Sequence, residues 1–462
     1  MNEPNEVNEV NFDGIVGPSY NFQALATGNL ASMGSLGKTS NPRSAALEGL
    51  AKAETVMSLG VRQALIPPLM RPNLGILYRI GLIKDKGLLR ADDTAALAHH
   101  LTLAAKASPE LLAAAYSGSS VWTANSATVS TSADTEDGRI HLTPANMTSL
   151  FHRSLEGEAV RDILKQIFCD DAHFVVHDPL PRSHAFGDEG AANHFRLAKS
   201  HSAKGLDVFV YGRDGIDDYE PGLRYFSRQT RLASEAVARV HGLDPDRTVF
   251  LKQNPRAIDA GAFHNDVVAA SNIDVLFYHQ HAFDRPSRAI AELNERYHAL
   301  EGTYLRTIEV PYADITLEEA VTSYLFNSQI VIDRNGRALL IAPRECEQIP
   351  RVRNYLERLV KQDDKPAEAV IFVNTSGSME SGGGPACLRL RVPLTETQQI
   401  AMGGRVLLTP EILTQLRDIV NHEYPTQVTS AMFADKTFIE TCFSATRHIY
   451  EVLGLTPAQP GD

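Results

Sequence analysis

Apolar residues recur at three- and four-residue steps in five segments of the chain, and this spacing predicts amphipathic helices. The clearest segment runs from Pro42 to Gly60, because Asn41 and Pro42 supply an N-cap and a first-turn proline, and Gly60 supplies a stop. Short β-like runs, including DVFVYGR, VVAASNIDVLFYH and ALLIAP, separate the helices and indicate an α/β protein. The other helical segments are ADDTAALAHHLTLAAKA from Ala91, RQTRLASEAVARVH before Gly242, PSRAIAELNERYHALE before Gly302 and PRVRNYLERLVK from Pro350.

A repeated plan underlies the β-like runs. In three stretches an asparagine leads into one run, a polar turn (EDG, SNID or RNG) follows, and a second run comes after, and a fourth stretch beginning GAANHF is a weaker match. The regularity predicts about five α/β modules around one centre, although hairpins with such turns are common and chance similarity is the alternative. The leading residues, spaced 68, 72, 62 and 60 apart, are Asn125, Asn193, Asn265, Asn327 and Cys387.

The chain contains no linker rich in Pro, Gly or Ser between these modules, so we predict one catalytic domain over residues 1–462. The Ala-rich stretch of about residues 84–117 falls outside the repeats and is expected as a helical insertion at the periphery. A C-terminal helical segment of about residues 409–455 follows the last module.

Composition narrows the class of protein. With 43% apolar, 22% charged and 7% aromatic residues in 462, the chain is typical of a globular enzyme. Its net charge of -12 argues against a surface for nucleic acid or an anionic membrane, which Lys and Arg would have to supply. Four scattered cysteines do not resemble a disulfide framework, and neither a leader nor a membrane-spanning apolar run is evident. We therefore expect a cytoplasmic protein.

Cys387 is the first candidate for chemistry because it follows the sequence GGGP. Glycines let backbone amides approach a ligand closely and let the chain turn without a Cβ clash. A lone cysteine is more often a small core residue, and that interpretation is assigned to Cys169, Cys346 and Cys442, which lack such a setting.

Two further candidates carry ionisable groups. His264 and Asp266 lie two apart at the start of a β-like run, so in a strand both would point to one face and suit general acid/base chemistry. A satisfied surface pair is the alternative. Glu189 lies among glycines and alanines in GDEGAAN, where a desolvated carboxylate can orient a histidine. The alternative is an acidic residue at the N-terminus of a helix AANHFRLAK.

Cofactor motifs are missing from the sequence. His99 with His100 and His279 with His281 have no cysteine partners at zinc-site spacing, so we predict no metal. SGGGPAC lacks the Lys-Ser/Thr ending of a phosphate loop, and no Gly-x-Gly-x-x-Gly opens a helix, so no nucleotide cofactor is predicted.

A set of motifs from Asn11 to at least Val392 closely resembles the N-succinylarginine dihydrolase family. The resemblance implies a pentein-type α/β propeller with five ββαβ-like modules and pseudo-fivefold symmetry. It also implies hydrolysis of N2-succinyl-L-arginine with two waters to N2-succinyl-L-ornithine, two ammonia and carbon dioxide, without a cofactor, by a homodimer. The motifs are NFDGIVGP, TGNLAS, SNPR, ANSATVSTSADT, FHRSLE, GDEGAANH, RQTRLASEAVARV, FHNDVVA, YLFNSQ and GGGPACLRLRV.

Matched motif by motif, the resemblance implies a nucleophile at Cys387, an acid/base at His264 and an orienting carboxylate at Glu189. These types suit the chemistry, because a guanidinium carbon is deactivated by resonance and requires a strong, soft nucleophile such as a thiolate. The cationic and amide groups among the expected substrate contacts would hold the anionic succinyl group. Those contacts are Leu25, Gly28, Asn29, Ser32, Asn125, His152, Arg153, Arg228 and Asp266. Taken alone, Arg228 is interpreted as a solvated residue at a helix start and Ser32 as a helix cap, and these interpretations are favoured over substrate contact.

Two departures from the family pattern fall in substrate-contacting segments. Ser381 stands where the family commonly has asparagine, and PSYNFQALATGN replaces the usual N-terminal loop. Acyl-group selectivity is therefore open, and three alternatives remain: a guanidine hydrolase or deiminase for another acylated or free arginine, an inactive guanidine-binding relative, and, on residue types alone, a cysteine protease.

Overall fold

The computed structural model describes residues 7–216 and 222–458. Residues 1–6 and 459–462, and with them both ends of the predicted 1–462 domain, lie outside the described residues. Among the described helices, none combines the length and apolar character needed to cross a bilayer.

The strands form five three-stranded sheets. In the described residues they are β1 Val7–Gly14, β2 Arg62–Ile66, β3 Ala127–Ser130, β4 Ile140–Pro144, β5 Phe174–Val176, β6 His194–Leu197, β7 Leu206–Tyr211, β8 Thr248–Lys252, β9 Ala269–Asn272, β10 Val275–His279, β11 Arg306–Val310, β12 Gln329–Ile332, β13 Ala338–Pro343, β14 Ala369–Val373 and β15 Arg389–Thr395.

Helices connect and cover these sheets. The α-helices are α1 Leu30–Gly34, α2 Pro42–Ser58, α3 Leu74–Arg79, α4 Thr94–Ala107, α5 Pro109–Ala115, α6 Phe151–Ser154, α7 Gly157–Ile167, α8 Arg231–Val240, α9 Pro255–Asp259, α10 Pro286–Glu301, α11 Leu317–Ser323, α12 Arg344–Gln348, α13 Pro350–Leu359, α14 Ser376–Met379, α15 Glu396–Ile400, α16 Pro410–Glu423 and α17 Lys436–Leu453. Short 3₁₀ segments span Lys86–Arg90, Ser119–Val121, Thr123–Asn125, His184–Phe186, Gly190–Asn193, Pro245–Arg247, Asn265–Val267 and Ser430–Met432.

Every sheet has the same internal order. Its central strand pairs antiparallel with one neighbour and parallel with the other, as in β3-β4-β5, where β4 is antiparallel to β3 and parallel to β5. An antiparallel pair needs only a short turn, whereas a parallel pair needs a crossover, which a helix such as α7 supplies. The five sheets therefore confirm the predicted ββαβ modules of a pentein-type propeller.

One module combines the two ends of the chain. Strand β1 pairs antiparallel with β15, with Val10 opposite Val392, and parallel with β2 across the α2 crossover. Helix α2 packs on this sheet, and its buried Lys52 donates to both carboxylate oxygens of Asp13 on β1 at 2.7 Å. The ring of modules is thus closed by strands from opposite ends of the sequence.

The five predicted helices form, and two of them start later than the sequence predicts. Helix α2 begins after Asn41, whose side chain accepts from the Ser44 amide, and α10 spans the predicted segment. The segment from Ala91 becomes helical only at Thr94, because Asp93 caps it by accepting from the Ala96 amide. Likewise, Thr230 caps α8, so the segment predicted from Arg228 becomes helical only at Arg231. Arg228 therefore lies outside the helix.

Helices between β2 and β3 pack against the C-terminal helices. Leu97 and Leu101 of α4 share an apolar cluster with Phe438 and Phe443 of α17. These helices thus share an apolar cluster with one another.

The regularly spaced asparagines lie a few residues or fewer before the first strands of their modules. Asn125 precedes β3, Asn193 precedes β6, and Asn265 and Asn327 precede β9 and β12. Neighbouring members touch, since the Asn265 amide donates to Asn193 Oδ1 at 2.9 Å. The modular arrangement thus brings together residues that are about 60 to 70 positions apart in the sequence.

Candidate active site

Cys387 lies in the loop that leads into β15, and its side chain is buried. Its amide donates to Asn327 Oδ1 at 3.1 Å, and Asn327 Nδ2 approaches its Sγ at 3.1 Å. The preceding glycines permit this packing: a Cβ on Gly383 would overlap the Trp122 indole, and a Cβ on Gly384 would lie 2.8 Å from Asn327 Oδ1. The glycine loop therefore places the thiol by close backbone approach.

His264 and Glu189 form a buried pair. His264 Nε2 lies 2.7 Å from Glu189 Oε2, with side chains that are 1% and 0% exposed. Burial lowers the pKa of His264, although Glu189 opposes this effect. Burial raises the pKa of Glu189, but the hydrogen bond and charge of His264 and the charge of Arg228 outweigh it, so the pKa lies below its usual value. An ionised Glu189 thus holds the imidazole, whose Nδ1 has no partner among the described residues.

The alternative of a surface pair for His264 and Asp266 and that of a helix N-terminal residue for Glu189 are both wrong. A surface location is excluded by the burial of His264, and the segment after Glu189 is a 3₁₀ turn leading into β6 rather than a helix. The two residues also lie outside strand β9: His264 comes directly before the 3₁₀ turn that precedes this strand, and Asp266 lies within that turn.

Asp266 lies beside the thiol and interacts electrostatically with His264. Cys387 Sγ lies 3.4 Å from Asp266 Oδ2, in the geometry of a thiol donating to a carboxylate. Burial raises the pKa of Cys387, and the charge of Asp266 raises it further. Burial also raises the pKa of Asp266, against the opposing charge of His264. Without a bound cation, the arrangement therefore favours the neutral thiol.

The predicted cationic residues gather beside these groups. Asn125 donates to the Glu189 carbonyl at 2.7 Å and accepts from Arg153 at 3.0 Å. Arg228 is 2% exposed, which excludes a solvated residue at a helix start, and its guanidinium lies 3.9 Å from Glu189 Oε2. Burial lowers the pKa of Arg228 to about 10. His152 is buried, and burial together with the charge of Arg153 lowers its pKa well below the usual value.

The N-terminal loop meets the glycine loop. Asn29 caps α1 by accepting from the Ser32 amide at 3.1 Å and donates to the Gly382 carbonyl at 2.9 Å. Asn29 is therefore the cap, not Ser32. Gly28, with φ +86°, packs on Tyr225. A small cavity connects these segments and is lined by Leu25, Ser32, Trp122, His152 and Ser381 among others.

The model of the succinylarginine dihydrolase family matches residues 6–460 of the chain. The chain belongs to the succinylarginine dihydrolase family. It is 44% identical over 453 residues to the N-succinylarginine dihydrolase of Aeromonas hydrophila, covering 98% of each chain. It is 43% identical over 452 residues to that of Yersinia enterocolitica, again covering 98% of each. It is 42% identical over 448 residues to that of Shewanella amazonensis, covering 97% of each.

Solved structures with a similar course of the backbone include the N-terminal domain of ArgZ bound to product, an arginine dihydrolase from cyanobacteria. It is 15% identical with a TM-score of 0.49, over 83% of this chain and 97% of that one. An adduct of dimethylarginine dimethylaminohydrolase is 12% identical with a TM-score of 0.43, over 84% and 100% of the two chains.

Sequence reasoning on this member of the succinylarginine dihydrolase family missed Asn327 as a site residue. Asn327 entered only as a repeat marker, yet it contacts both the backbone and the sulfur of Cys387. Its position 60 residues before Cys387 in the repeat was the signal that would have found it. Trp122 was also missed; its ring lies 5.4 Å from the Arg153 guanidinium carbon.

The remaining cysteines of this family member have other settings. Cys346 and Cys442 are buried, and burial raises the pKa of each thiol well above its usual range. Cys169 is exposed. Within residues 7–216 and 222–458, no group of three His, Cys, Asp or Glu side chains is arranged to hold a metal.

Proposed function

We propose that the protein hydrolyses the guanidino group of N2-succinyl-L-arginine with two waters, giving N2-succinyl-L-ornithine, two ammonia and carbon dioxide. The observation that carries the proposal is the pair of hydrogen bonds from Glu189 to His264 and from Cys387 to Asp266, together with the electrostatic interaction between His264 and Asp266. Family membership and the names of relatives that match nearly the whole chain support the choice of substrate.

Substrate binding activates the nucleophile in this proposal. The guanidinium occupies the space beside Asp266, whose carboxylate accepts a forked pair of hydrogen bonds from it. Its positive charge then offsets the charge of Asp266 and stabilises the Cys387 thiolate, whose proton passes to His264. The thiolate attacks the guanidino carbon. Asn327 Nδ2 donates a hydrogen bond to the sulfur and favours the thiolate further.

His264 moves the protons. As a general acid it protonates the departing ammonia while the carbon–nitrogen bond breaks, and as a general base it then takes a proton from water, which attacks the same carbon and releases the sulfur. Glu189 holds the imidazole and stabilises its protonated form. The product of this first round is a urea, and a second round removes its amino group as ammonia. The carbamate that results loses carbon dioxide and leaves the ornithine amine.

The anionic succinyl group requires cationic partners away from the reacting carbon. Arg153 and Arg228 are buried on the same side as Asn125, and both interact electrostatically with Glu189 and Cys387. We place the succinyl group toward these guanidinium groups and toward the small cavity lined by His152 and Ser381.

The test measures ammonia released per substrate consumed, and product mass, for succinylarginine, acetylarginine and arginine. Two ammonia per succinylarginine are expected, with a rate loss of about 10³-fold or more in Cys387→Ser. Cys169→Ser, at an exposed thiol, is the matched control and keeps full activity. One ammonia per substrate, or full activity in Cys387→Ser, would overturn the proposal.

Family resemblance also leads us to propose that the protein is a homodimer. The scattered cysteines lead us to propose that it works in a reducing, cytoplasmic compartment. Light scattering of the purified chain tests the first point, and a monomer mass would contradict it.

A further inference from the structure

The short segment 187–189, which carries the carboxylate that holds His264, belongs to no helix or strand. Its buried amides cannot be paired by a sheet ladder and need other partners. Side chains supply them: the Asp188 amide donates to Asn146 Oδ1 at 3.1 Å, and the Glu189 amide donates to Gln229 Oε1 at 2.7 Å. Side chains from two other parts of the chain therefore determine where Glu189 lies.

The side chain of Gln229 uses both ends of its amide group in this support. Gln229 is 5% exposed. Besides accepting from the Glu189 amide, it donates to Asp188 Oδ1 at 3.1 Å and to Ser234 Oγ of α8 at 3.2 Å. Asp188 Oδ1 accepts in turn from the Gly190 amide at 3.3 Å. Gln229 thus fixes the turn around Glu189 against helix α8.

The place of Gln229 in the chain also connects two charged groups of the site. It directly follows Arg228, whose guanidinium lies 3.9 Å from Glu189 Oε2. The two segments are in close backbone contact, because the Thr230 amide donates to the Gly187 carbonyl at 2.9 Å. A Cβ on Gly187 would lie 2.7 Å from the Arg228 carbonyl oxygen. The contact from Gln229 to the Glu189 amide therefore fixes the carboxylate relative to Arg228 as well.

We propose that Gln229 is a positioning residue: by holding the amide of Glu189, it aims the carboxylate at His264. Glu189 Oε2 lies 2.7 Å from His264 Nε2, and a displacement of about 1 Å in such an arrangement can cost about 100-fold in rate. The amide of Gln229 has protein partners at both ends, so it acts through Glu189 rather than on the substrate. The effect on turnover rests on the proposed function, whereas the effect on the His264–Glu189 pair does not.

The charged groups around His264 provide a readout of this aim. Burial lowers the pKa of His264, and the hydrogen bond and charge of Glu189 oppose it. Arg228 lowers the pKa further, and Asp266 raises it. If Glu189 moves away, the main group that favours the imidazolium is lost. The titration of His264 should then move to lower pH.

Gln229→Met tests the proposal, because it keeps the length of the side chain and removes both hydrogen-bonding ends. In steady-state kinetics with succinylarginine, kcat should fall about 10- to 100-fold with little change in KM. In an NMR titration of the full chain with labelled histidines, the resonance of His264, assigned with His264→Gln, should titrate at lower pH.

Gln398→Met is the matched control. Gln398 is also 5% exposed, and its Oε1 also accepts a backbone amide, that of Thr395 at 2.9 Å. This contact belongs to the capping box of α15. The control should therefore leave both kcat and the His264 titration unchanged.

A double-variant cycle identifies the residue through which Gln229 acts. In the Glu189→Gln background no carboxylate remains to be aimed, so adding Gln229→Met should lower kcat by less than about twofold. Gln229→Asn, whose amide is one methylene shorter, takes the place of Gln229→Met should that variant fail to fold, and the same results are expected.

Undiminished kcat, a selective rise in KM, a His264 titration that stays in place, or additive losses in the cycle overturns the proposal. Failure of the proposed reaction gives a different result. The unaltered protein would then not consume succinylarginine, while the His264 titration would still respond to Gln229→Met.

Discussion

Replacing Asp266 with asparagine should make the resting thiol of Cys387 more reactive while it abolishes most turnover. The carboxylate lies 3.4 Å from the sulfur and opposes formation of the thiolate. The amide removes that negative charge and keeps a similar size. The same change removes the acceptor proposed for the guanidinium, so the two effects on the enzyme have opposite signs.

The distance between Cys387 Sγ and Asp266 Oδ2 determines how strongly the two negative charges repel each other. Two like charges 3.4 Å apart repel by about 5 kcal/mol at an effective dielectric constant of ~20. At about 1.4 kcal/mol per factor of ten, this corresponds to roughly three powers of ten in thiolate population. Asp266 is half-buried, so solvent reduces the effect, and we expect alkylation to accelerate at least ~30-fold. Loss of the charge-assisted contact should lower kcat/KM by about 100-fold.

The assay follows iodoacetamide labelling at neutral pH by peptide mass spectrometry, which separates Cys387 from the exposed Cys169. Cys346 and Cys442 are buried and serve as internal controls, because general unfolding would label them too. Asp274→Asn, a surface carboxylate paired with Arg306, is the matched control. Slower or unchanged labelling of Cys387 in folded Asp266→Asn would refute the claim that this carboxylate keeps the free enzyme in the thiol form.

Three further variants test the arrangement. Asn327→Ala removes a side chain that contacts the nucleophile, so kcat should fall about 10- to 100-fold with little change in KM, and a selective rise in KM in steady-state kinetics would contradict this role. Glu189→Gln removes the charge that raises the pKa of His264, so the acidic limb of the kcat/KM profile should move to lower pH; a limb that stays in place would count against the pairing. Asp13→Asn leaves Lys52 buried without its counter-charge and should cost about 3–5 kcal/mol in urea unfolding, with most of the loss recovered in Asp13→Leu/Lys52→Met; a loss under ~1 kcal/mol would show that the ion pair is not important for stability.

Much of the local structure could be predicted from residue order. Caps such as Asn41 and stop signals such as Gly60 act within a few positions, so the bounds of α2 follow from neighbouring residues. The repeated Asn-led hairpins indicated five modules because each module uses the same short-range turn chemistry. The glycines before Cys387 indicated a close backbone approach for the same reason.

The sequence by itself therefore determined the helices, the hairpins, the repeat and the residue types of the candidate site. Tertiary structure alone decided that β15 closes the ring on β1, that Asn327 contacts the thiol, and that Asp266 lies beside the sulfur of Cys387. Such outcomes depend on distances between segments separated by tens to hundreds of residues, and on which polar atoms remain unpaired after packing. Local propensity carries no information about either.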